Sequence, residues 1–170
     1  MKLLKSVIIA ASMLLSGATC AETVKITNIG HGYYSGALYI AKREKLFEKY
    51  GLEADISFVQ GGPLALQAAL TKQADVAVLS YEHILTSAVQ GKQVVAFFNI
   101  CNRPVNNVIA NDKLFAGSEK LSVEEKIKRL KGMRVAMPSA GGSGEKMLGV
   151  LAKKYGLTLP GDITSVYLGA

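Results

Sequence analysis

The residues VKITNIGHGYYSG, at positions 24–36, join a predicted strand to a predicted helix through a loop rich in glycine. Residues 24–29 are typical of a strand. Ser35 stands where a helix cap is expected, and the helix is predicted to run to about Tyr50, with Gly51 in the left-handed conformation after it. A strand, a loop and a helix in this order form the first half of a β-α-β unit, which predicts a parallel sheet covered by helices.

The same alternation continues to residue 100. Further strands are predicted at residues 54–59 and 75–79, and the helices between the strands are expected over residues 61–72 and after Ser80, which we expect to act as a cap. Residues 94–100 form an apolar run, which is typical of a strand buried on both faces. The β-α-β-α-β-α-β order therefore predicts an α/β fold with a mostly parallel sheet.

The composition changes after this run, which indicates two lobes. We assign residues 22–103 to lobe I, residues 104–120 to a crossover or hinge, and residues 121–170 to part of lobe II. The crossover contains proline, several asparagines and a short strand-like piece at residues 108–110.

Lobe II is predicted to be incomplete. Its predicted elements are a capped polar helix from Ser122, a strand at 134–137, a helix at 144–155 and a strand at 164–168. These elements are too few to bury a core of their own, since small domains are marginal even when complete. We therefore expect a C-terminally truncated chain.

The first 21 residues have the features of a secretory signal peptide. Two lysines precede an apolar stretch at residues 7–15, which is too short to span a bilayer. Cleavage is expected after Cys20 or Ala21, which places the protein in the periplasm. A lipid anchor on Cys20 is a less favoured alternative, because Gly17 stands where the lipoprotein pattern has a large aliphatic residue.

Charge and residue types argue against several classes of function. The formal charge is +7, but the basic residues are scattered among acidic ones rather than forming the stripe of a nucleic-acid binder. The two histidines lack metal-ligand spacing, and His83 is expected on a helix surface. Cys101 is expected to be a buried small hydrophobic residue. We predict no catalytic residue, no metal and no cofactor.

Four predicted loops follow strands and precede helices, in chain order at residues 31–36, 61–63, 80–81 and 139–144. In a parallel sheet such loops gather at the carboxyl edge, where ligands bind, and helix starts favour anions and polar groups. Glycine lets backbone approach a ligand closely, serine donates hydrogen bonds and tyrosine walls the site. For any single loop, the alternative that its serine is only a cap and its glycine only a turn former stays open. The candidate ligand-binding residues are His31, Tyr33, Tyr34, Ser35, Gly61, Ser80, Tyr81, Ser139, Gly142 and Ser143.

Two of these loops have partial nucleotide-binding patterns. Residues 30–36 have glycine spacing related to the dinucleotide fingerprint, but no acidic residue ends the second predicted strand. Residues 139–146 resemble a phosphate loop, but Glu145 interrupts the required Gly-Lys pair. Both patterns are therefore interpreted as polar ligand loops rather than nucleotide sites.

Several segments together resemble a known family. They are ALYIAK at 37–42, LFEKYGL at 46–52, GGPLALQAAL at 61–70, ADVAV at 74–78 and LKGMRVA at 130–136. In this order and spacing they are similar to the nitrate/sulfonate/taurine group of periplasmic substrate-binding proteins of ABC transporters, the NMT1/THI5-like family.

This resemblance implies a type II periplasmic-binding-protein-like fold, with two α/β lobes and a ligand in the cleft between them. It implies a monomer that captures a small anionic or polar organic solute and delivers it to an ABC permease in the inner membrane, without enzymatic activity. The alternatives are a thiamine-pyrimidine synthase-like enzyme, which would need a cysteine-rich iron site, and a sensory ligand-binding lobe. A soluble dehydrogenase is a weaker rival.

Overall fold

The computed structural model describes residues 21–168. The predicted signal peptide, except for Ala21, and the alternative lipid anchor at Cys20 lie outside the described residues. Within residues 21–168, no helix combines the length and apolar character needed to cross a membrane.

The first half of the chain forms a three-stranded parallel sheet. The strands stand in the order β2-β1-β3, and Ile26 of the central strand lies opposite Ile56 on one side and Val76 on the other. This confirms the predicted alternation of parallel strands and helices as far as the third helix. The elements are β1 (Glu22–Asn28), α1 (Gly36–Arg43), β2 (Leu52–Phe58), α2 (Gly62–Leu70), β3 (Val76–Val78) and α3 (Glu82–Val89).

Small apolar residues pack this sheet against α2. Ile26 of the central strand is buried, and α2 buries Ala65, Leu66 and Ala68. Pro63 stands in the first turn of α2, where its missing N–H has no helical partner to lose. The first core is therefore made mainly of small aliphatic side chains.

The second half forms a separate two-stranded parallel sheet. β4 and β5 pair in parallel, with Val135 opposite Ser165. A capping box starts α5, since Glu125 N–H donates to Ser122 Oγ at 3.2 Å and Ser122 N–H donates to Glu125 Oε2 at 2.8 Å. The elements are α4 (Asp112–Phe115), α5 (Val123–Lys128), β4 (Arg134–Met137), α6 (Ser143–Lys154) and β5 (Thr164–Tyr167).

This second unit has a core, so the expectation that it buries none is wrong. The reason is that α5 and the turn after α6 contribute apolar side chains in addition to those of the strands and α6. Seven buried residues form the cluster, namely Ile127, Leu130, Met137, Leu148, Ala152, Leu157 and Ile163.

The helix predicted up to Tyr50 ends earlier, at Arg43. Lys45 has a left-handed backbone, with φ of 52°. Leu46 N–H donates to Ala41 O at 2.8 Å and Lys45 N–H donates to Lys42 O at 3.2 Å, which is the Schellman ending of a helix. A lysine occupies the position that usually holds glycine, so the sequence carried no stop signal there. Gly51 has φ of 71°, which confirms its left-handed conformation.

The predicted strand at residues 94–100 is absent, as is the strand-like piece at 108–110. Val95, Phe97 and Phe98 are 84%, 76% and 72% exposed. Among residues 21–168, no backbone-to-backbone hydrogen bond involves residues 93–110. The physical reason is that the described sheet ends at β3, so no neighbouring strand pairs with this run or covers its side chains.

Candidate functional site

The carboxyl ends of the first three strands lie along one edge of the sheet. Asn28, near the end of β1, is opposite Phe58 of β2 and Val78 of β3. Because all three strands are parallel, the loops that follow them share this edge. The fold thus brings three of the four predicted loops together.

Ser35 stabilises the first of these loops from inside. It is fully buried, and its hydroxyl lies 2.9 Å from Asn28 Nδ2 and 3.1 Å from Gly30 O. Ser35 occupies the predicted N-cap position of α1, but its side chain makes no capping hydrogen bond to that helix. The buried Asn28, which sequence reasoning did not single out, is its partner. An asparagine at the end of a central strand is the signal that was available.

The three ring-bearing candidates of this loop have different surroundings. Tyr33 is 79% exposed, whereas Tyr34 packs so closely on Gly32 that a Cβ there would overlap its ring. His31 stacks on Phe58 with ring centroids 4.1 Å apart, and its Nδ1 lies 2.7 Å from the hydroxyl of Tyr39. His31 is therefore held on the side of β2, and Tyr33 is the tyrosine of this loop that is open to a ligand.

The second loop touches the fourth, across the two units. Gly61 has φ of 85°, and a Cβ at this position would overlap Ser139 Oγ. A Cβ at Gly142 would lie 2.9 Å from the same oxygen. A cavity of about 380 Å³ adjoins this contact, lined by Gln60, Pro63, Leu64, Pro138, Ser139, Ala140 and Tyr167. Because Gly61 and Gly142 have no side chains, Ser139 of the fourth loop fits against the second loop.

The third loop differs from expectation in its cap and in the histidine that follows. The N-cap of α3 is Tyr81 rather than Ser80, and it makes no side-chain capping bond. Tyr81 is 64% exposed. His83 is buried, not on the surface, because Gly62 lacks a side chain and lets the imidazole pack against it. Burial lowers the pKa of His83, with Lys146 also lowering it and Glu82 raising it.

Side chains at the start of α6 contact both the first unit and the crossover. Lys146 Nζ donates to Thr86 Oγ1 of α3 at 3.1 Å. Ser143 Oγ donates to Asn106 Oδ1 at 3.4 Å. Sequence reasoning identified Ser143 but missed Lys146, Thr86 and Asn106. No local pattern identifies them, because their contacts join residues far apart in the chain.

The carboxylate of Glu145 accepts hydrogen bonds inside the fourth loop. Gly141 N–H donates to Glu145 Oε2 at 2.7 Å, and the hydroxyl of Tyr167 donates to the other carboxylate oxygen. Burial raises the pKa of Glu145, but these two hydrogen bonds lower it, and the net shift is downward. The anionic carboxylate therefore occupies part of the loop, which agrees with the absence of a complete phosphate-loop pattern in the sequence.

Metal-ligating residues are not clustered in the part of the chain that the structure describes, where no group of three or more His, Cys, Asp or Glu side chains is arranged around a common point. Cys101 is half-buried rather than fully buried as expected, because the run before it is not covered by a sheet.

Comparison with known proteins gives a family and a fold. The NMT1/THI5-like family model matches residues 33–170. A solved structure of a protein from Bordetella bronchiseptica RB50 is similar, with 24% identity and a TM-score of 0.66 over 87% of this chain. This chain spans 45% of the length of that protein. No curated protein matches the sequence.

The observed β-α-β order, the two parallel sheets and this structural neighbour agree with a type II periplasmic-binding-protein-like fold. The family model covers the chain from Tyr33, in the first loop, to residue 170. The chain belongs to the NMT1/THI5-like family.

Proposed function

We propose that this protein is an exported, periplasmic solute-binding protein that captures a small anionic or polar organic solute between its two units and delivers it to an ABC permease of the inner membrane. The contact of Gly61 with Ser139 carries the proposal. It joins a glycine loop at the carboxyl edge of the first sheet to the loop that starts α6. Membership of the NMT1/THI5-like family supports a solute-binding role.

The chemistry of these loops suits an anionic or polar ligand. Both α2 and α6 begin at this contact, and the first N–H groups of a helix have no partner within the helix. Together with the helix dipole, they favour a negatively charged or oxygen-rich group. Glycine at positions 61 and 142 lets the two loops approach each other closely around Ser139, which brings the starts of α2 and α6 together.

The proposed mechanism is a population shift toward a closed arrangement of the two units. A solute bound by loops of both units stabilises the arrangement in which the loops meet. Within residues 21–168, one side-chain hydrogen bond, from Lys146 to Thr86, joins α6 to α3. The permease would recognise the closed arrangement.

The contacts of the two histidines favour ligand binding without a chemical reaction over a synthase-like activity. His83 is enclosed by Gly62 and Glu82, and His31 is engaged with Tyr39 and Phe58. A reactive histidine would have to be released from one of these contacts first. A sensory lobe would use the same cleft and differ only in its partner.

Thermal unfolding with added solutes tests the proposal. We expect Tm to rise with the concentration of at least one of nitrate, ethanesulfonate or an aminopyrimidine, because a ligand that binds only the folded state stabilises it. Gly61→Ala should abolish this rise, since the new side chain meets Ser139 and the backbone has φ of 85°.

Gly36→Ala is the matched control, because a Cβ at Gly36 has no atom within 4 Å and its φ is −56°. It should keep the wild-type response. A Tm that no solute changes, or a Gly61→Ala variant that responds like wild type, would contradict the proposal.

A further inference from the structure

A second cavity, larger than the one beside Ser139, lies outside the contact between Gly61 and Ser139. Its volume is about 660 Å³, and it lies between Tyr33 of the first loop and residues 99–105, which lead into the crossover. Building on the proposed solute-binding function, we propose that this cavity binds the carboxylate or sulfonate group of the solute, with Arg103 as its counter-ion.

The lining of the cavity suits an organic anion. Arg103 is the one charged side chain among the eight lining residues, and it forms no ion pair or hydrogen bond with the rest of residues 21–168. Its guanidinium carries five N–H donors in a planar fork that matches a carboxylate or sulfonate. Asn99 and Asn102 add amide donors. The side chain is therefore available for an anion from outside the chain.

The position of the cavity connects it with the predicted loops of both units. Tyr33 belongs to the first loop, and its ring is 79% exposed, so it offers a flat apolar face. Asn106 directly follows the lining residue Val105 in the chain, and it accepts from Ser143 at the start of α6 and donates to Met147 Sδ at 3.3 Å. A solute whose acidic group pairs with Arg103 would thus lie beside residues from both units.

Size and charge define the class of ligand. Pockets for small organic ligands have volumes of roughly 300–1,000 Å³, a range that includes this cavity. The formal charge of +7 attracts anions to the protein as a whole. The cavity is suited to a small acid with a flat or apolar body, in preference to a neutral analogue of the same shape.

Cys101 provides a direct reporter of occupancy, since it lines the cavity and is half-buried. Alkylation of Cys101 by iodoacetamide is followed by mass spectrometry of its peptide, with two matched pairs of probes. The pairs are ethanesulfonate with ethanesulfonamide, and benzoate with benzamide. We expect an acid, but not its neutral amide, to slow the alkylation in a saturable manner.

Arg103→Gln should weaken this protection about tenfold or more, as expected for loss of a charge-assisted hydrogen bond, and Arg103→Lys should retain part of it. Arg43→Gln is the matched control, because Arg43 is an exposed arginine on α1 that pairs with Glu44. It should leave protection unchanged. Circular dichroism of each variant verifies that the fold is intact.

Equal protection by acid and amide, or unchanged protection in Arg103→Gln, would overturn the inference. If solutes raise Tm and none protects Cys101, the solute-binding function stands and the assignment of this cavity fails. If no probe changes either Tm or alkylation, both proposals fail.

Discussion

His83 lies where two helices of the first unit meet a lysine from the second. Its side chain is 3% exposed, it packs against Gly62, and its Nε2 is 3.6 Å from Glu82 Oε1. Burial lowers its pKa, and the nearby positive charge of Lys146 lowers it further, against the opposing effect of Glu82. The imidazole is therefore neutral near pH 7, and protonation would place a charge in an enclosed space.

This gives a pH dependence of stability with a definite sign. The ordinary pKa of histidine is about 6.5, and the folded value of His83 lies below it. Between the two values the unfolded chain binds more protons, so the free energy of unfolding decreases as pH falls below about 6.5 and levels off below the folded pKa. Urea denaturation between pH 7.5 and 5.5 measures this decrease.

His83→Gln should flatten the profile over this range. Glu145 and Asp162 also have lowered pKa values, but their ordinary values of 4.5 and 3.8 place their effect at lower pH. A wild-type profile that is flat from pH 7.5 to 5.5 would contradict the prediction.

At the scale of elements, helix endings show which stop signals the sequence carries. Gly51, Gly91 and Gly156 follow helical segments and have φ between 71° and 77°. Lys45 and Lys72 adopt the same left-handed conformation, with φ of 52° and 59°. Hydrogen bonds from each lysine and from the residue after it back to the last helical turn hold these lysines there, although the conformation favours glycine.

Lys45→Gly should therefore stabilise the protein by about 0.5–1 kcal/mol, because glycine removes the strain of a left-handed side-chain-bearing residue. The same change at Lys42, which is exposed within α1, should destabilise it by about 1 kcal/mol. Chemical denaturation of both variants gives the two free energies. Effects of the same sign would show that the end of α1 is not set by Lys45.

At the scale of the whole molecule, two cores are separated by an uncovered segment. One core lies around α2 and the first sheet, and the other comprises the seven buried residues of the second unit. Between them, residues 93–110 have no backbone-to-backbone hydrogen bond to the rest of the described chain, and Ile109 is 91% exposed. The exposed aromatic and β-branched side chains of this segment make an apolar surface, and such surfaces promote association with other molecules.

Replacing both Phe97 and Phe98 by serine should therefore change the free energy of unfolding by no more than about 0.5 kcal/mol. The variant should bind less of the hydrophobic dye ANS than wild type. Leu148→Ala is the contrasting control, since Leu148 is 3% exposed and its truncation should cost about 2–5 kcal/mol. A large destabilisation by the double serine variant would show that the run packs against other residues.

The sequence by itself determined the alternation of strands and helices as far as α3, the capping box at Ser122 and the left-handed Gly51. These features depend on a few consecutive residues, whose backbone preferences act locally. Only the tertiary structure decided that His83 is buried, that Ser35 bonds to Asn28 and that residues 95–98 are exposed. Burial is a relation between distant segments: Gly62 makes room for His83, and no strand beyond β3 covers the apolar run within the described residues. The contact of Gly61 with Ser139 belongs to the same class, because the sequence indicated both loops but the packing of the two units brought them together.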